Sequence, residues 1–148
     1  MSDYFIRFIP ENIETKLNEH EIKLIEKLNW DGNNPKFIFS ERIQLADAGQ
    51  NFEIVKCQFC KANLMKWWGN AMNSAYSDER GFVKLDVTTP CCNKTTSLHN
   101  LEYNFPQGFY KTMIEVMPET SSNIMSNEIA NSLLAITQKN WRIIHAHY

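Results

Sequence analysis

Two stretches in opposite halves of this chain read alike: "IRFIPEN" at 6–12 and "IEVMPET" at 114–120. Each closes a β-rich run, opened by Tyr4-Phe5 in the first and Tyr110-Lys111 in the second. Each run stops at a proline, Pro10 or Pro118, which has no N–H to give a strand ladder. A helical pattern and another extended segment then follow in both halves. In the first, Asn18 and Glu21 form a capping-box pair, with Leu17 and Ile22 at the positions of a hydrophobic staple. Ile22, Leu24, Ile25 and Leu28 continue as an apolar stripe, and the extended segments "KFIFS" (36–40) and "RIQLADA" (42–48) come next. In the second half a helix is expected from Ser126, with Ile129, Leu133 and Ile136 on one face. The strand "WRIIHAHY" (141–148) follows it.

A β-α-β unit written twice predicts an α+β fold. The expectation is a ferredoxin-like antiparallel sheet of four strands, covered on one face by two helices. Residues 1–49 and 107–148 would supply the two halves, with 50–106 inserted between them as a subdomain. Arg7 and Glu115 hold equivalent places on the two inner strands and are expected to pair across them. A length of 148 residues suits one domain so built. With 43% hydrophobic and 22% charged residues the chain is of globular composition. Its net charge of −2 gives little long-range attraction to nucleic acid or to an anionic membrane. No apolar run approaches the roughly 20 residues that span a bilayer. The opening "MSDYFIRFIPEN" lacks the basic leader and long apolar core of a signal peptide. The expected location is therefore cytoplasmic, where thiols serve as metal ligands or catalysts more often than in disulfides.

The chemistry is concentrated in the insert. "KCQFCK" (56–61) places Cys57 and Cys60 three apart, so that both sulfurs can face one ion. "TPCCN" (89–93) adds Cys91 and Cys92. Two cysteine-bearing turns can close a tetrahedral Zn2+ site of structural type. Between them, a helix from Leu64 sets Met65, Trp68, Ala71, Met72, Ala75 and Tyr76 on one face. "GFVKLDV" (81–87) then alternates as a half-buried strand with Val83, Leu85 and Val87 on one side. Adjacent residues on an extended chain point apart, so Cys91 and Cys92 both ligate only if the backbone turns sharply between Pro90 and Asn93. All four cysteines are the preferred ligand set, and His99 is the nearest substitute for one of them. The competing reading is a thiol–disulfide oxidoreductase using Cys57 and Cys60, with "CQFCK" opening a helix whose N-terminus lowers a thiol pKa. Lys56 stands where a thioredoxin has tryptophan, and redox chemistry leaves Cys91 and Cys92 without a role.

The cysteine turns together with Trp67-Trp68, Ala71-Met72, Ala75-Tyr76, Thr89 to Cys92, Thr96 to Leu98, Leu101, Tyr103, Pro106, Gly108-Phe109 and the ending Ala146 to Tyr148 resemble an uncharacterised family of small bacterial proteins. The resemblance covers nearly the whole chain and is densest over 52–110. It implies fold kinship and a zinc-knuckle (zinc-ribbon-like) segment without an activity. Relatives often carry glycine after each cysteine turn, where this chain has Lys61 and Asn93. They tend to lack a histidine at the position of His99, which favours the four-cysteine set. Some are labelled sugar-transporter ATPases, but this chain has no G-x-x-x-x-G-K-[ST] to cradle phosphates.

Other residues have the chemistry for a site. His145 and His147 share one face of the last strand, yet no third metal ligand accompanies them. Trp67 lies at the edge of its helix stripe, and Phe105 and Phe109 belong to the aromatic segment 103–110. These three are candidate partner contacts wherever they reach the surface. Lys56, Lys61 and Lys66 make a faint basic-aromatic surface. Residues 53–104 nevertheless balance six Lys/Arg against five Asp/Glu. No nucleophile elbow, H-E-x-x-H helix or kinase signature is present. The sequence thus predicts a small, non-enzymatic zinc protein that binds or adapts a protein partner. Thiol–disulfide exchange is the second reading and nucleic-acid binding the third.

Overall fold

The computed structural model describes residues 3–118 and 123–148, so the last two residues of the second repeat, Glu119 and Thr120, lie outside it. The elements run β1 (Tyr4–Pro10), α1 (Glu19–Glu26), β2 (Lys36–Ala46), β3 (Val55–Lys56), α2 (Met65–Ala75), β4 (Tyr76–Ser77), β5 (Gly81–Phe82), β6 (Asp86–Thr88), β7 (Thr95–Ser97), a 3-10 turn (Leu98–Asn100), β8 (Glu102–Tyr103), β9 (Gly108–Val116), α3 (Asn123–Thr137) and β10 (Trp141–His147). The architecture is mixed, with three α-helices among the described residues and a six-stranded sheet ordered β10-β1-β9-β2-β5-β4. Every strand pairing in that sheet is antiparallel.

Both β-α-β runs form as their patterns predict. Asn18 accepts from the Glu21 amide at 2.8 Å while the Glu21 carboxylate accepts from the Asn18 amide at 3.0 Å, the reciprocal pair of a capping box. The second helix starts at Asn123, three residues before the expected Ser126. Its buried Ile129 and Leu133, with Ile136 beside them, pack with Ile25 of α1 against Ile6, Phe8, Ile114 and Val116 on one face of the sheet. Ile9, Met113 and Ile144 alternate to the opposite face, where they pack with Ala46, Ala48 and Tyr110. Arg7 and Glu115 are register partners on β1 and β9, and the guanidinium Nε donates to the carboxylate at 2.8 Å.

Three features depart from the sequence expectation. The segments 36–40 and 42–48 were read separately, but most of them form the single strand β2, whose register against β9 slips between Phe39 and Gln44. "GFVKLDV" is not one strand. Phe82 packs inward, edge-on to Phe109 with ring centroids 5.0 Å apart. Leu85 is buried and Val87 half-buried, while Val83 is left exposed. The alternation therefore slips between β5 and β6, because packing on Phe109 outweighs the local period. Finally, β5 pairs with β2 through Ile43 and Phe82, so the segment expected as an insert, 50–106, extends the main sheet. Ile43, Leu45 and Phe109 of that sheet also pack into the core that holds Val55, Leu64, Met72, Leu98 and Leu101.

Denaturant titration is expected to separate the two kinds of support. Asn18→Ala, which removes an exposed cap, costs about 1 kcal/mol. Leu133→Ala, at a fully buried position, costs roughly 2–5 kcal/mol.

Candidate metal centre

The insert brings its cysteines together by building the same turn twice. In the first, the Cys57 amide donates to the Ala62 carbonyl at 2.9 Å and the Lys61 amide to the Cys57 carbonyl at 3.0 Å. In the second, the Thr89 amide donates to the Lys94 carbonyl at 2.9 Å and the Asn93 amide to the Thr89 carbonyl at 2.9 Å. Lys61 and Asn93 take positive φ values of 65° and 58°, the region that glycine adopts without steric cost. A bridge between Lys56 and Asn63 flanks the first turn, and the Thr88–Thr95 pair of the β6–β7 hairpin flanks the second. The hydroxyl of Thr96 donates to the side-chain carbonyl of Gln58 at 2.6 Å and ties the two turns together.

The four thiol sulfurs all lie within 4.8 Å of one another. Cys57 to Cys92 is 3.7 Å, Cys91 to Cys92 is 3.9 Å and Cys60 to Cys91 is 3.3 Å. A tetrahedron with Zn–S bonds of about 2.3 Å has edges of about 3.8 Å, so the cluster has the dimensions of a zinc–thiolate site. The sharp turn that adjacent Cys91 and Cys92 require is present. Cys57 is fully buried, Cys92 half-buried, and Cys60 and Cys91 exposed.

The thiols do not ionise alike. Burial opposes the Cys57 thiolate, but the amides of Cys60 and Phe59 and the neighbouring thiols stabilise it and bring its pKa down to about 6. The Phe59 amide lies 3.4 Å from the sulfur. Desolvation beside the other sulfurs, with the thiols of Cys60, Cys57 and Cys92, pushes Cys91 up to about 12. One thiolate is thus welcome and a further one resisted, and a bound divalent cation would let all four thiols deprotonate together.

The helix arrangement expected for a redox motif is absent. Cys57 and Cys60 precede α2, which begins only at Met65, so neither cysteine opens the helix as the redox motif requires. The thiol with the lowered pKa has no exposed surface for a disulfide substrate. Lys61 is ion-paired to the Glu102 carboxylate, which removes one of the three lysines of the basic-aromatic surface.

His99, the substitute ligand, lies elsewhere. Its Nδ1 accepts from the Phe109 amide at 2.9 Å, so Nε2 carries the proton and donates to the Glu11 carbonyl at 2.9 Å. Both ring nitrogens are thereby engaged. The guanidinium of Arg142 closes the same junction. One nitrogen donates to the carbonyls of His99 (3.0 Å) and Gln107 (2.7 Å), and the other two grip the Glu11 carboxylate at 3.0 and 2.6 Å. Gly108 passes so close that a Cβ there would lie 2.9 Å from the His99 ring. This buried joint between insert and sheet was missed in the sequence, although "GF" after a Pro-containing loop marks a close backbone approach.

The other named residues separate by exposure. Phe109 is fully buried and offers nothing to a partner, whereas Phe105 is 41% exposed and Trp67 half-buried. Trp68 instead donates to the Tyr103 hydroxyl at 3.2 Å within an aromatic group that includes Phe52. His145 stacks on Tyr4 and shares a hydrogen bond with its hydroxyl. Neither His145 nor His147 belongs to a metal-sized cluster among the described residues. No helix there is long and apolar enough to cross a membrane. In comparisons with known proteins, no family model, no curated protein and no solved structure matches this chain.

Burial first, and then the charge of Arg142, pull the His99 pKa from 6.5 down to about 4. A histidine held neutral stabilises the fold fully above the unfolded value, and that stability is lost as pH falls from 6.5 towards 4. The difference amounts to roughly 3 kcal/mol. An NMR titration is expected to find the His99 ring neutral down to about pH 4. His145, also lowered by burial, contributes to the same loss. Subtracting the His99→Gln stability curve from that of the wild type therefore isolates the His99 share.

Proposed function

We propose that this chain is a small zinc-binding protein in which Cys57, Cys60, Cys91 and Cys92 clasp one Zn2+ of structural type. It serves as a non-enzymatic binding or adaptor module for a protein partner. The observation that carries the metal reading is the approach of four sulfurs, from two turns of one hydrogen-bond pattern, to the spacing of a zinc–thiolate tetrahedron. A site filled by four protein thiolates leaves no position for substrate or activated water, which favours binding over catalysis. The strand order β10-β1-β9-β2 with both helices on one face supports a ferredoxin-like sandwich made from a duplicated β-α-β unit. Residues 50–106 form its zinc-ribbon-like insert. Lys61 and Asn93 take positive φ at places where relatives of the resembled bacterial family often carry glycine, and membership of that family is part of the proposal. Thiolates that must stay reduced suit a cytoplasmic location. For the partner surface, exposed Phe105 and half-buried Trp67 are the contacts proposed.

Metal analysis of the purified protein is expected to find about one zinc per chain, with thiols that react only after a chelator is added. Cys57→Ser, at the buried ligand, should lose the metal and loosen the insert, while Cys57→Ser in a redox enzyme would keep its fold. Metal-free protein with one fast-reacting thiol near neutral pH would defeat the zinc reading.

A further inference from the structure

The two turns match residue for residue, and only one of the two cysteines in each turn falls opposite a cysteine. Aligning Lys61 with Asn93, the two left-handed positions, sets Cys60 opposite Cys92 and Cys57 opposite Thr89. Thr89 is as fully buried as Cys57. Its hydroxyl lies 3.3 Å from the Cys92 sulfur, so it occupies the side of the cluster where a first cysteine would sit. Cys91 falls opposite Phe59, which points outward from its own turn and is 42% exposed. Cys91 is exposed as well. The sulfurs therefore reach the cluster from unlike positions: three from the ligand places of the repeated turn, and Cys91 from the outward-facing place.

We infer that Thr89 stands at a surrendered ligand position and that Cys91 is an exchangeable fourth ligand, replaceable at the metal by a soft donor, a thiol or imidazole, arriving from solution. This rests on the zinc reading above. Cys57 and Cys92 are held from within, the first by the Phe59 amide and the second by the Thr89 hydroxyl. Cys91 is exposed and, unlike the exposed Cys60, comes from the outward-facing place of its turn. In the exchange the bond from the metal to the Cys91 sulfur breaks and that sulfur takes up a proton. An incoming thiol gives up a proton as its own bond to the metal forms, so the charge of the site is unchanged. An incoming neutral imidazole binds through its lone pair, the Cys91 proton comes from solvent, and the site becomes one unit less negative.

Cobalt substitution tests this, because thiolate-to-metal charge-transfer absorption counts the sulfurs bound. Wild-type protein should show a tetrahedral four-thiolate spectrum. Cys91→Ser should keep the metal at about three-quarters of that charge-transfer intensity, and its spectrum should shift when imidazole or a small thiol is added. Cys92→Ser should lose the metal. The double variant Thr89→Cys with Cys91→Ser should regain the four-thiolate intensity and stop responding to added imidazole. A loaded wild type whose double variant stays at three thiolates, or whose Cys91→Ser variant releases metal as readily as Cys92→Ser, overturns the inference and leaves the zinc reading standing. A wild type that takes up no cobalt removes both.

Discussion

The guanidinium of Arg142 joins three segments that meet where the residues between the two halves return to the sheet. It grips the carboxylate of Glu11 just beyond β1, the carbonyl of His99 in the insert and the carbonyl of Gln107 just before β9. Three segments distant in sequence thus share one planar cation whose donors lie in a fixed fork, a geometry lysine does not supply. Its charge also lowers the pKa of Glu11 and His99. The buried imidazole accordingly stays neutral and keeps one accepting and one donating nitrogen for the Phe109 amide and the Glu11 carbonyl. The chain's exit from residues 50–106 is held by the same group, and the Gln107 side chain there accepts from the Ala48 amide at 3.2 Å, next to the entry.

Insert and sheet are further joined by apolar contacts that belong to both. Phe52 packs against the core on the open face of the sheet and against the core beneath the cysteines. Phe109 carries a sheet strand into the second core, edge-on to Phe82. The cysteine turns therefore rest on a body of packed side chains continuous with the sheet.

Much of the frame was legible because its signals are local. The capping box at Asn18 and Glu21, the stripe through Ile129, Leu133 and Ile136, and the shared register of Arg7 and Glu115 follow from spacing alone. So did the gathering of the cysteines, since C-x-x-C and a turn-forming "PCCN" need only close on each other. What stayed hidden depends on remote partners. Nothing near Phe82 announces that Phe109 will pull it inward, and nothing near His99 shows that a β9 amide will claim its ring. The place of Thr89 is an intermediate case. It follows from aligning the turns on Lys61 and Asn93, but counting from the cysteines conceals it.

The strand order has a bearing on how the chain is assembled during synthesis. In the six-stranded sheet β1 lies between β10 and β9, so the first strand made has no ladder neighbour until the last third of the chain has emerged. The pairing of Arg7 with Glu115 spans 108 residues, whereas Cys57 and Cys92 are separated by only 35. Closing the shorter loop costs less entropy, and its parts leave the ribosome first. The cysteine turns are thus complete while β1 still waits, and the four thiols can gather before the first strand finds its sheet.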